Sequence, residues 1–218
     1  MKYYKKIKSF LLLIFVCFLI VGCSQENTNK EETIVPTEDK NKAAVEAVLK
    51  LEFTGPNEEY TMVQQNIDKK WDEIHTTQPE GEFAASLPED STELVAFYGL
   101  LDKTYKPHFM DYAYDTLIRT GSAYSYHYGF TGLKENVRYH MNVSDIKVTQ
   151  SENKNTPKNY DFTAQVEYKS NSDEVTTHQI IGTAILSEVG KIGMFTISDD
   201  GGLREKTRED LDDLEMVE

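Results

Sequence analysis

The stretch "AYSYHYGF", residues 123–130, places Tyr124, Tyr126 and Tyr128 at every second position around His127. Imidazole is the side chain that exchanges a proton most readily near neutral pH, and tyrosine offers an apolar ring with a hydroxyl at its tip. These types could build an aromatic ligand wall around a histidine, or they could fill a core. Tyrosine also favours half-buried strands, where the ring packs and the hydroxyl reaches water. Read as one straight strand, the alternation sets His127 on the face opposite the three rings. Tyr139 in "VRYHMNV" and His178 in "TTHQII" extend the same set, and His140 adjoins Tyr139. The candidate ligand-binding residues are therefore Tyr124, Tyr126, His127, Tyr128, Tyr139 and His178, and no catalytic residue is assigned.

Other chemistries fail on type and spacing. The five histidines form neither HxH nor HExxH, which argues against zinc. "DLDDLE" lacks the turn glycine and the length of a calcium loop, so no metal is assigned. "TGSAY" lacks the second glycine of a nucleophile elbow. No glycine-rich loop is placed to hold a phosphate, and "DDGGL" reads as the end of a strand. The expectation is no cofactor.

The start of the chain has its own chemistry. "MKYYKKIKS" carries Lys2, Lys5, Lys6 and Lys8 without an acid, and an apolar run of 12 residues follows, Phe10 to Val21. A bilayer-spanning helix needs about 20 residues, so this is the layout of a secretory signal. Its exit, "IVGC", resembles the lipobox of bacterial lipoproteins. That resemblance implies cleavage between Gly22 and Cys23 and a diacylglyceryl thioether on Cys23. Residues 1–22 are then a signal peptide, and the protein is membrane-attached on the extracellular face. One acyl chain holds a protein only marginally whereas two hold it stably. Cys17 lies in the discarded run, so the mature chain would carry neither a free thiol nor a disulfide.

Removing residues 1–22 takes away four lysines and no acid, moving the formal net charge from -14 to -18. So acidic a chain argues against nucleic acid as a partner. "SQENTNKEETIVPTEDKN", residues 24–41, is polar and aperiodic and reads as part of a disordered tether over 23–41. As a flexible chain it spans roughly 23 Å, well beyond a Debye length of about 8 Å, so it would hold an acidic domain clear of an anionic membrane. "EDLDDLEMVE" closes the chain with six acids and no base; residues 204–218 read as an acidic tail, either a fraying helix or a solvated segment.

The remainder, 42–203, reads as one α+β domain, helices first and strands after. "KAAVEAVLKLEF" spaces Ala44, Val48 and Leu51 on one helical face, and "TGPN" stops it. Asn57 caps a second helix with Tyr60, Val63, Ile67, Trp71 and Ile74 in a stripe. Asp90 and Glu93 suggest a capping box for a third, bearing Leu94, Phe97, Tyr98, Leu101 and Tyr105. A short fourth helix follows, with Gly121 as its left-handed cap. The period then changes to two. Val137, Tyr139, Met141 and Val143 share a face, but Ile146 and Val148 are out of phase, which predicts a bulge at Ser144 or Asp145. "YDFTAQVEY" alternates, Tyr160, Phe162, Ala164, Val166 and Tyr168 inward. "EVTTHQIIGTAILSE" becomes apolar on both faces, predicting a central strand covered twice. "EVGK" predicts a hairpin into "IGMFTISDD".

Helices followed by a long, bent antiparallel sheet of four to five strands resemble the cystatin-like cone of nuclear transport factor proteins. "EFTGPNEEY", "DKTYKPHF" and "KIGMFTISDDGGL", with the polar tether, resemble small extracytoplasmic lipoproteins of Gram-positive bacteria. The resemblance implies a conical cavity between helices and sheet. In relatives of this kind the cavity is an active site or a ligand site, or the sheet serves association; fold alone does not choose. The leading expectation is a non-enzymatic, lipid-anchored domain that binds a small ligand or a protein at the cell surface. The alternatives are a small isomerase- or dehydratase-like cavity enzyme, with His127 or His178 as base, and an assembly subunit that dimerises through its sheet.

Overall fold

The structure is a computed structural model describing residues 37–77, 86–130, 139–170 and 174–215. Its helices are α1 (Thr37–Phe53), α2 (Glu58–Thr77), α3 (Thr92–Thr104), α4 (Asp111–Arg119) and α5 (Leu203–Glu215). Its strands are β1 (His140–Gln150), β2 (Asn159–Lys169), β3 (Val175–Glu188) and β4 (Lys191–Asp199). The four strands form one open antiparallel sheet in chain order. The class is α+β.

α1 forms the centre of the helical layer. Val45, Val48, Leu49 and Phe53 recur at helical spacing and are at most 1% exposed. Burying each contributes about 1.5–3 kcal/mol. Beneath them lies the inner face of β2, where Tyr160, Phe162, Ala164, Val166 and Tyr168 are all buried as the alternation predicts. Both sheet edges are tied to the helical half. Gly55, just after α1, exchanges two backbone hydrogen bonds with Met141 on β1, each 3.0 Å. On the far edge, Met110 N–H donates to the Ile192 carbonyl at 2.9 Å. Such bridges shield edge strands from pairing elsewhere.

Local chemistry explains most boundaries. Asn57 Oδ1 accepts from the Tyr60 N–H at 3.0 Å and starts α2. α4 ends in a Schellman arrangement: Gly121, at φ 62°, donates to Ile118 and Ser122 donates to Leu117. The predicted bulge is present, the β1–β2 register shifting between Ser144 and Lys147 with Asp145 at φ 49°. Glu188 pairs with Lys191 across the predicted hairpin, and Gly190 takes φ 71° there. Trp71 is half-buried beside Val63, Ile67 and Leu87 in a small cluster of its own.

Four expectations need correction. The cap of α3 is Ser91, whose Oγ accepts from the Leu94 N–H, rather than Asp90. α1 begins at Thr37, inside the stretch read as tether, and Asn41 is buried, donating to the Tyr160 hydroxyl at 2.8 Å and accepting from the Gly190 N–H at 2.7 Å. The acidic end takes the helical one of its two readings, as α5, anchored by buried Leu203 and by Leu211. β3 is covered on one face only: Ile180, Ala184 and Leu186 are buried but Ile181 is exposed. Lastly, residues 123–130 are not a strand but successive turns ending in a 3₁₀ turn, Tyr128–Phe130. Cys17, Cys23, Val137 and the turn at 171–173 lie outside the described residues.

Candidate functional site

Replacing the expected strand by turns changes where every ring of "AYSYHYGF" goes. Tyr124, at φ 54°, is fully buried, stacked on Tyr60 at 4.4 Å and edge-on to Tyr105 at 5.1 Å. Tyr126 is buried against Phe53 at 4.7 Å, its hydroxyl donating to Asp200 Oδ2 at 3.0 Å. His127 has no exposed surface, where the straight-strand reading set it apart from the tyrosines. Tyr128 is 64% exposed. Tyr139 stacks on Phe130 at 4.1 Å and lies hydroxyl-to-nitrogen with His127 Nδ1 at 2.7 Å. His178 sits apart, between Thr176 and Gly201. The structure thus gathers Tyr124, Tyr126, His127 and Tyr139 into one core cluster and leaves out Tyr128 and His178.

Both histidines are saturated. The Leu51 carbonyl can only accept, so His127 Nε2–H donates to it at 3.2 Å and Nδ1 accepts from Tyr139. Burial holds this imidazole down to about 4 from 6.5, so it is neutral, with neither nitrogen free to move a substrate proton. His178 likewise donates from Nδ1 to the Gly201 carbonyl at 2.9 Å and accepts from Thr176 on Nε2 at 2.8 Å. His140 is exposed on the sheet edge.

The carboxylate at the centre of the helical half is Glu52, on the last turn of α1. Its Oε1 accepts from the Tyr105 hydroxyl at 2.6 Å and the Tyr124 N–H at 3.0 Å. Its Oε2 accepts from the Ser125 N–H at 3.2 Å and the Ser125 hydroxyl at 3.4 Å. Two carboxylate oxygens offer about four acceptor positions, and all are filled. Burial nevertheless pushes the group up to about 7 from 4.5, the four donors opposing that rise. Tyr124 donates its N–H to Glu52 from a left-handed position, φ 54°, that few residues other than glycine adopt. Glu52 joins the ends of α1 and α3 to the 123–125 turns.

Glu52 also lines a cleft of about 680 Å³ between α4 and β4. Phe109, Ala113 and Leu117 form one wall, Phe195 and Ile197 the other, with Ser125 and Arg204 along it. None of the six residues singled out in the sequence lines this cleft. The readable signal for Glu52 was its place seven residues after Val45 and four after Val48, a carboxylate on the apolar stripe of α1. Arg204 carried no such signal, since it reaches the cleft only because α5 folds back on the Tyr126 segment. Among the described residues no cluster of histidine, cysteine or carboxylate side chains could hold a metal.

No protein-family model, curated protein or solved structure matches this chain.

Proposed function

We propose that this protein is an extracytoplasmic lipoprotein, attached to the membrane through Cys23, whose domain binds a small ligand in the α4–β4 cleft without transforming it. The observation that carries the binding reading is the cleft itself. Its volume of about 680 Å³ falls in the usual range for small-molecule sites, and its lining joins apolar side chains such as Val48, Phe109, Leu117 and Phe195 to polar ones such as Thr116, Thr120, Ser122 and Ser125. The anchor reading rests on the basic start, the 12-residue apolar run and "IVGC". The finer fold reading is a cystatin-like cone of the nuclear transport factor kind. Support for it comes from α1 packing against both β1 and β4, with the helices on the inner face of a meander bent by a bulge.

A second reading has one observation in its favour. A carboxyl near neutral pKa lining a cleft is a common mark of acid–base catalysis. Against that, Glu52 has every acceptor position filled from within the protein, and His127 and His178 are saturated too. Binding without turnover is the better account. The test is retention of a small molecule by protein extracted from its membrane, lost in Thr116→Trp, which narrows the cleft from its exposed side. Turnover that disappears in Glu52→Gln would instead favour the enzyme.

A further inference from the structure

Two charged side chains line the cleft, and they differ in what they have left to offer. Glu52 holds four donors on two oxygens, so it has no acceptor position for a cationic or hydroxylic ligand. Arg204 is the opposite case. Its guanidinium carbon lies over the buried Tyr126 ring, 4.7 Å from the centroid. Its only ionic partner among the described residues is loose, with Nε 3.9 Å from Asp200 Oδ2. That oxygen is already occupied by the Tyr126 hydroxyl at 3.0 Å and the Arg204 N–H at 3.3 Å. Beyond Asp200 the guanidinium has the Tyr126 hydroxyl as a hydrogen-bonding neighbour, and its side chain is 65% exposed, open to a further anionic partner. An ion pair this open contributes little and yields easily to a competing anion.

We infer that the cleft takes a small amphipathic carboxylate, its apolar body between α4 and β4 and its two oxygens on the terminal nitrogens of Arg204. The inference rests on the cleft-binding reading and adds the ligand's chemistry to it. A planar guanidinium offers two parallel N–H groups that match a carboxylate. Arg204 is also the one cation among the lining residues, in a chain with 37 acids against 23 bases. Elsewhere that surface repels anions, so an isolated cation beside apolar walls selects for a negative head on an apolar body.

Titration calorimetry on the full mature chain with octanoate, octan-1-ol and octylamine separates head from body. Octanoate should bind at least ten-fold more tightly than either of the others. R204Q should erase the preference of octanoate over octanol, R204K should restore part of it, and Thr116→Trp should weaken both ligands. Equal affinity for octanoate and octanol, or a preference that survives R204Q, overturns the head-group inference and leaves the cleft reading standing. No binding by any of the three, or binding indifferent to Thr116→Trp, overturns both.

Discussion

Burial makes Glu52 keep its proton to a pH at which ordinary glutamates have lost it, although its four donors oppose that rise. Between pH 4.5 and about 7 folded Glu52 holds a proton that the unfolded chain releases, so its contribution to stability falls as pH rises through that window. His127, held at about 4 from 6.5, acts in the other direction. Between pH 6.5 and 4 the unfolded imidazole takes up a proton that the folded one refuses, so stability falls as pH drops. Each effect amounts to about 3 kcal/mol at 1.36 kcal/mol per pKa unit, and in the intact protein they nearly cancel. Urea unfolding at pH 4.5, 5.5 and 6.5 should expose the two slopes separately. Glu52→Gln should lose stability towards acid, and His127→Gln towards neutrality; the opposite slope in either variant would contradict the assignment of the group it retains. The tyrosines make a second contrast. Tyr105→Phe removes a donor from Glu52 and should cost about 1.5–3 kcal/mol. The Tyr124 hydroxyl is buried beside Thr104 and Asn57 without closing a hydrogen bond to either. Tyr124→Phe should therefore be neutral or stabilising by about 1 kcal/mol in the same unfolding assay.

At the scale of elements, the bulge in β1 is the device that keeps Met141 and Val148 on one buried face although they are seven residues apart. Its left-handed residue is Asp145, a type that tolerates that region better than most. Asp145→Val should destabilise by about 1–2 kcal/mol, while Asp145→Gly should not, as read by the urea midpoint. This bulge was legible in the sequence, because an apolar set that changes phase in mid-strand stays on one buried face only if a residue is inserted. So were the stripe of α2, the Gly121 cap and the alternation of β2, each set by local chemistry. The turns at 123–130 were not. Alternating tyrosines satisfy a strand as well as they satisfy turns, and what decides is Glu52, 72 residues away, drawing in the Tyr124 N–H. The start of the domain was misread for a related reason. Asn41 looks like tether until Tyr160 and Gly190 stand beside it. β3 has apolar residues on both faces, yet no described element covers Ile181. Period reveals which residues share a face and is silent on what lies opposite.

At the scale of the whole molecule, an acidic domain preceded by a polar stretch and a basic, apolar start is the order of parts that the proposed lipoprotein requires. Among the described residues no helix is long and apolar enough to cross a bilayer. Under the proposed function, attachment falls to the Cys23 thioether. Cys23→Ala should abolish incorporation of radiolabelled fatty acid and release the protein from the membrane fraction. Label retained by that variant would remove the anchor.

The most direct test of the binding account is native mass spectrometry of the mature protein, extracted from its own membrane, beside Thr116→Trp prepared in the same way. The account predicts a non-covalent adduct of small mass on the wild type that the variant lacks. Wild type and variant both emerging without an adduct, or both carrying the same one, would contradict it.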